Sequence, residues 1–234
     1  MKTKSIHILL TLDVEPSPVN ALPRLLKLFK KIGITGTIFV TGQISNMVKP
    51  FLDIGWSIQT HTPPNLHPEF NGSNKLADYP YSSQLAMIQR DKEIIEKKLN
   101  IRSIAFRAGK LSMSNLTHRA LAKLGFRIDS SILIPYVFRL NAINRRPWNP
   151  YKLSVGELIE VPVTQWIDDP TKGLNLWMKI YFIKAIDPKA SICLLLHPHS
   201  LTSDALFRRL EKIILRLSRI GEFLTVEDLI YHRF

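Results

Sequence analysis

The sequence predicts an α/β protein, a parallel β-sheet with helices packed outside it. Two observations carry this expectation. Short segments rich in apolar and β-branched residues alternate roughly seven times with amphipathic helical segments, and composition does not break between them. The first apolar run, Ile8-Leu9-Leu10-Thr11-Leu12-Asp13-Val14-Glu15-Pro16, ends in two carboxylates, where folds of this class place their chemistry. Alternation alone leaves open whether the sheet stays open or closes into a barrel. The 234 residues contain no repeat or linker, so a single domain over 1–234 is expected.

The first strand stops at Pro16, which favours extended geometry at Glu15 and cannot donate to a central ladder. Residues 20–32 read as an amphipathic helix, with Leu22, Leu25, Leu26 and Phe29 on one stripe and Gly33 as its C-cap. Residues 35–41 read as a buried strand, 43–54 as a weaker helix and 56–60 as a third strand. A long irregular loop over 61–80 carries several prolines; loops of that length are usually functional or mobile. A helix over 82–99, a strand over 103–107, a helix over 115–124 capped by Gly125 and a strand over 126–131 follow. Residues 135–152 look irregular and basic, with Arg139, Arg145, Arg146 and Lys152 among aromatic side chains. The remainder reads as strand 158–164, helix 174–185, strand 191–197, basic helix 205–220, strand 223–226 and a short terminal helix.

An apolar fraction of 45% is that of a globular chain rather than a disordered or fibrous one. Lys+Arg of 32 against Asp+Glu of 19 gives a net charge of +13, which favours acidic partners or makes a solvated basic surface. The single cysteine, Cys193, excludes an internal disulfide and reads as a buried thiol within an apolar run. Asp13 and Glu15 interrupt what would otherwise suggest a signal peptide, and no stretch approaches the ~20 apolar residues of a membrane span. A soluble, cytoplasmic protein without nucleic-acid partners is therefore expected.

Asp13 and Glu15, at i and i+2, share one face of an extended strand. A solvated strand end is the plain alternative. What favours chemistry is the company further along, where His61, His67, Arg107, Asp129 and His197 each fall near the end of another predicted strand. His61 and His67 converge only if their loop folds back. Arg107, after an apolar strand, needs a carboxylate partner such as Asp13 or Glu15. Two carboxylates with two or three histidines match a mononuclear metal hydrolase. Zinc is held well by two His and one carboxylate, leaving a position for water.

Several pieces, in order, resemble the polysaccharide deacetylase family, the NodB-homology or carbohydrate esterase family 4 fold. They are Thr11-Leu12-Asp13-Val14-Glu15, Thr37-Ile38-Phe39-Val40-Thr41-Gly42, His61 with His67-Pro68, Phe106-Arg107-Ala108-Gly109, Asp129-Ser130-Ser131, Glu160-Val161-Pro162 and Leu195-Leu196-His197-Pro198. The likeness is nearest the branch of allantoinase-like and peptidoglycan deacetylase-like proteins. It implies a distorted (β/α)7 barrel and a metal-dependent hydrolase that removes an N-acyl group, usually acetyl, from an amino sugar.

Carried over, the resemblance makes Asp13 the general base, Glu15, His61 and His67 the metal ligands, and Arg107 the group that orients Asp13. It makes His197 the general acid with Asp129 as its supporting carboxylate, and lets Trp166 line the substrate groove. The chain departs from the family pattern at Val14, in the six-residue spacing of the histidines and at Gly109-Lys110.

The expected substrate is an N-acylated sugar, phosphate-, nucleotide- or lipid-linked, with Arg145 and Arg146 suited to the phosphate. The alternatives are a deformylase or other amide hydrolase on the same fold, and an inactive barrel that binds carbohydrate or polyanion.

Overall fold

The computed structural model describes residues 6–17, 20–70, 72–134, 146–168 and 173–231. Strand β1 (Ile6–Val14) is the centre of a ten-stranded sheet that also contains β2 (Thr37–Val40), β3 (Ser57–Thr62), β4 (Ala105–Ala108), β5 (Ile128–Asp129), β6 (Tyr151–Lys152), β7 (Ile159–Glu160), β8 (Val163–Trp166), β9 (Ser191–Leu196) and β10 (Gly221–Phe223). The order is β6-β7-β5-β4-β3-β2-β1-β9-β8, with β10 beside the start of β1. Every pairing is parallel except β6 with β7. Helices α1 (Leu22–Ile32), α2 (Tyr81–Leu99), α3 (Asn115–Lys123), α4 (Gly173–Ile186), α5 (Asp204–Ile220) and α6 (Asp228–Tyr231) make the connections. Among the described residues no helix is long and apolar enough to cross a membrane.

Period-two alternation decides what each strand shows to either side. On β1, Ile8, Leu10 and Leu12 pack outward with Leu25 and Phe29 of α1 and with Leu210 and Ile214 of α5. Leu9 packs inward with Phe39, Ala105, Ile128, Val161 and Leu195. Asp13 and Glu15 share the parity of Leu9, so the strand carries both acids to the inner side.

The curl closes at one irregular seam. Residues 158–164, expected as a single strand, are two: β7 pairs with β5, and β8 pairs with β9. Pro162 stands between them without an N–H to continue a ladder. Beyond it, Leu133 forms an isolated parallel bridge to Val163, with Val163 N–H donating to Ile132 O at 2.7 Å and Ile134 N–H to Val163 O at 2.9 Å. The result is a distorted parallel barrel in one α/β domain.

Other local expectations shift for stated reasons. Residues Gly42–Ile54 form a 3-10 helix, with Pro50 inside it removing one donor of an α-helical ladder. Strand β3 runs two residues further than the pattern indicated, so His61 sits on a buried strand and not in the loop. The last strand pairs at Gly221–Phe223, earlier than expected, because β10 docks on Ile6–Ile8 at the foot of β1. Ser203 Oγ caps α5 by accepting from Leu206 N–H, and Gly33 closes α1 at φ 74°.

Candidate active site at the strand ends

Strands β1, β3, β4 and β9 run parallel, so their carboxyl ends open at one mouth. The innermost feature there is an ion pair. Arg107 Nη1 donates to Asp13 Oδ1 at 2.8 Å, and both side chains are buried. The guanidinium has no spare donor: Nη1 also reaches Thr11 Oγ1 at 2.8 Å, Nε reaches Ser130 O at 2.9 Å, and Nη2 reaches Ser130 Oγ at 2.7 Å and Cys193 Sγ at 3.6 Å. Phe39 stacks beneath it at 4.2 Å. Burial by itself would raise the Asp13 carboxyl, but the Arg107 charge, helped by His61 and His197, outweighs it and holds the pKa below the usual value. Asp13 is therefore a fixed carboxylate with its second oxygen free of Arg107.

Two residues along β1, Glu15 Oε1 lies 3.0 Å from His61 Nε2. The other ring nitrogen, Nδ1, donates to Arg107 O at 2.9 Å, so in the neutral ring the lone pair of Nε2 faces a carboxylate. Two such acceptors at contact distance require a positive charge, either a proton or a cation. Burial pulls the His61 pKa down, yet Asp13 and Glu15 raise it overall; the bond from His61 in turn lowers Glu15.

His67 is held separately. Its Nε2 donates to Asp91 Oδ2 at 2.9 Å, and Asp91 Oδ1 accepts from Gly42 N–H at 3.1 Å. His67 Nδ1 is buried without a hydrogen-bond partner and lies 3.9 Å from Glu69 Oε1. Each imidazole thus has one nitrogen anchored on an acceptor; the other faces the Glu15 carboxylate in His61 and is bare in His67. The donor types fit a divalent ion, and the structure brings Glu15 and His61 together. It does not bring His67 within the same cluster: among the described residues, the group of three acid or His ligand atoms lying within 4.8 Å of one another is a different one, formed by His118, Asp129 and Glu160.

Across the mouth stands His197, whose Nε2 is 3.9 Å from Asp13 Oδ2. Burial lowers its pKa, but the bond to Asp168 and the charge of Asp13 raise it overall. Trp166, 47% exposed at the end of β8, meets His197 edge-on at 6.1 Å and forms an open wall beside it.

Two expectations need correction. Asp129 does not support His197. Alternation along β5 turns Asp129 away from the mouth, toward His118 Nε2 at 3.3 Å, while Ser130 faces Arg107. The supporting carboxylate is Asp168, 2.6 Å from His197 Nδ1. Arg146 is not at the mouth either. It lies 3.7 Å from Asp187 Oδ2, which also accepts from Trp148 Nε1 and Asn149 Nδ2, ahead of the first residue of β9. His197 follows the last residue of that six-residue strand, so roughly 20 Å separates the two ends. Arg145 lies outside the described residues.

Sequence reasoning missed Asp168 and Asp91. Asp168, two residues past a strand-end Trp, had a usable signal in its position; Asp91, in the middle of α2, had none. Gly109 keeps the loop after His61 close, since a Cβ there would lie 2.6 Å from Pro63 Cα.

Comparison with known proteins agrees with the fold and gives the family. The family model for polysaccharide deacetylases matches residues 1–128, more than half of the chain. A peptidoglycan deacetylase of Helicobacter pylori is 26% identical over 175 residues, covering 63% of this chain and 54% of the relative. The chain therefore spans about half the length of that curated relative. Among solved structures, a Mycobacterium smegmatis protein assigned to the polysaccharide deacetylases superposes with TM-score 0.76 at 20% identity, covering 99% of this chain and 91% of its own. A CE4-family pseudoenzyme of Bacillus anthracis superposes with TM-score 0.61 at 16% identity, covering 98% and 66%.

Proposed function

This chain belongs to the polysaccharide deacetylase family, and we propose from that premise that it hydrolyses an N-acyl group, acetyl in the first instance, from an amino sugar. The observation that carries the reading is the placement of an ionised, Arg-clamped Asp13 opposite a carboxylate-backed His197, with Glu15 and His61 paired alongside.

Glu15 and His61 would hold a divalent ion; His67, which stands outside their cluster on Asp91, would join them only by turning its bare Nδ1 to the same ion. When bound, such an ion lowers the pKa of a water and polarises the acyl carbonyl. Asp13 accepts a proton from the attacking water through the oxygen that Arg107 leaves free. Arg107 keeps that carboxylate ionised and immobile by using all five of its own donors on the surrounding frame. His197 donates a proton to the departing amine nitrogen, and Asp168 fixes the ring that delivers it. Trp166 offers a flat apolar face to the sugar beside the reacting bond.

One observation favours a second reading, an inactive barrel that binds glycan: His67 is engaged with Asp91 rather than with Glu15 and His61. Acetate release from N-acetylglucosamine oligomers and from peptidoglycan, by protein equilibrated with Zn²⁺ or Mn²⁺ and by protein stripped with chelator, separates the two. The hydrolase reading requires metal-dependent release that H61A abolishes. Full release by stripped protein, or none under any loading, contradicts it.

A further inference from the structure

On the outer side of the sheet, beneath α3, three buried side chains converge. His118 comes from α3, Asp129 from β5 and Glu160 from β7, with exposures of 6%, 0% and 0%. One ligand atom from each lies within 4.8 Å of the other two. The backbone enforces the meeting: Asp129 and Glu160 are direct partners in the β5–β7 ladder, which sets two carboxylates side by side. Like charges opposite one another in a sheet oppose its formation unless something compensates them.

Each carboxylate has one oxygen satisfied by the protein. Ser131 Oγ donates to Asp129 Oδ1 at 2.5 Å, and Ile132 N–H donates to Glu160 Oε1 at 3.0 Å. The remaining atoms, Asp129 Oδ2, Glu160 Oε2 and His118 Nε2, are buried and make no hydrogen bond. Three orphaned polar atoms in one enclosed spot are costly, and they are rare in folded proteins unless a bound species joins them. His118 Nε2 and Asp129 Oδ2 stand 3.3 Å apart. Two ligands on a tetrahedral ion with bonds of about 2.0–2.2 Å lie roughly 3.3–3.6 Å apart.

We propose that His118, Asp129 and Glu160 form a second metal site, separate from the mouth, that takes a divalent cation of the zinc or manganese class through one imidazole nitrogen and two carboxylate oxygens. The two sites lie on opposite sides of the sheet. On β5, Ser130 turns inward to Arg107 while Asp129 turns outward to His118; on β7, Ile159 and Val161 turn inward and Glu160 outward. Arg107 pulls on Glu160 through its charge but makes no hydrogen bond to the outer pair, its donors being spent on the inner frame, and burial with Asp129 outweighs that pull. Tyr151, opposite Glu160 on β6, lies beside the same pair: partial burial with the Glu160 and Asp129 carboxylates pushes its hydroxyl up to about 12. A cation here ties α3 to β5 and β7, the short strands next to the seam, so its role is to brace the barrel. The competing occupant is a proton shared by the two carboxyls, since burial and Asp129 push Glu160 well above the ordinary carboxylate range.

The test is metal content, by elemental analysis, of wild type, H61A, H118Q and E160Q after chelation and equilibration with Zn²⁺ or Mn²⁺, together with melting temperature. Two equivalents in wild type, one in H61A and a loss of one in H118Q or E160Q are expected, with the melting temperature of H61A rising on addition of the ion. Should H118Q fail to fold, the equivalent retained by folded H61A and its melting shift carry the test alone. No ion in H61A, or full metal content in folded H118Q and E160Q, overturns the site and leaves the shared proton. A single equivalent in wild type that is lost in H61A but kept in H118Q removes this proposal and spares the hydrolase reading. A single equivalent in wild type that is kept in H61A but lost in H118Q supports this proposal and counts against a metal at the mouth.

Discussion

Asp168 grips His197 at two points: Oδ2 meets ring Nδ1 at 2.6 Å, and Oδ1 accepts the backbone N–H of the same residue at 2.7 Å. The carboxylate therefore fixes both the strand end and the ring that leaves it. Nε2 is turned toward Asp13, the direction from which a leaving amine would receive its proton.

Replacing Asp168 with Asn removes the charge that raises His197. A general acid supplies about 10²–10⁴-fold, and loss of its anchor is expected to cost roughly ten- to a hundredfold in kcat. The raised pKa keeps His197 protonated above the ordinary value of about 6.5, so the alkaline limb of kcat against pH lies above that value in wild type. In D168N the limb moves to lower pH. A limb that stays in place would show that another group donates the proton.

Arg107→Met leaves Asp13 as a buried, unpaired carboxylate. Breaking a buried pair in this way costs about 3–5 kcal/mol, read by urea denaturation at pH 7. Because Asp13 is depressed in the folded state, the pair's stabilisation is full above the unfolded carboxylate value of about 3.9 and is lost as pH falls through the lower folded value. The gap between wild type and R107M is therefore expected to narrow under acid. A gap of the same size at pH 7 and in strong acid would place the effect in packing rather than charge.

Asp91 anchors His67 by Nε2 and leaves Nδ1 bare. If His67 ligates, Asp91→Asn weakens the metal held at the mouth by about 10–100-fold, as removal of such partners does elsewhere. Isothermal titration of the stripped protein with Zn²⁺ measures it. Unchanged affinity in D91N would assign His67 a structural role.

Trp166 is the exposed wall next to His197. An aromatic contact contributes about 0.5–1.5 kcal/mol, so Trp166→Ala is expected to raise KM roughly 2- to 10-fold with little change in kcat. A fall in kcat at constant KM would instead give Trp166 a part in positioning His197.

The parallel sheet and the identity of the mouth residues were legible because period-two patterning and strand-end placement are local properties of the chain. Asp13, Glu15, Arg107 and His197 each sit at the end of an apolar run, and the structure gathers them there. What was not legible depends on which way a side chain turns. Asp129 ends its strand just as His197 does, but one step of alternation sends it to the outer side, toward His118. Arg146 lies in a basic stretch that looked suited to phosphate, yet the residue itself sits beside Asp187 at the foot of β9, a tertiary fact no local pattern carries. The break at Pro162 was visible as a residue; its consequence, one strand divided between two partners, depends on closure of the barrel.

Acetate release by Asp13→Asn, set beside its metal content, shows whether this carboxylate is the base. The substitution keeps the shape of the side chain and its contact with Arg107 but removes the base. A loss of about 10²–10⁴-fold from the metal-loaded wild-type rate is expected, with the metal at the mouth retained. A D13N protein that releases acetate at the wild-type rate would contradict it.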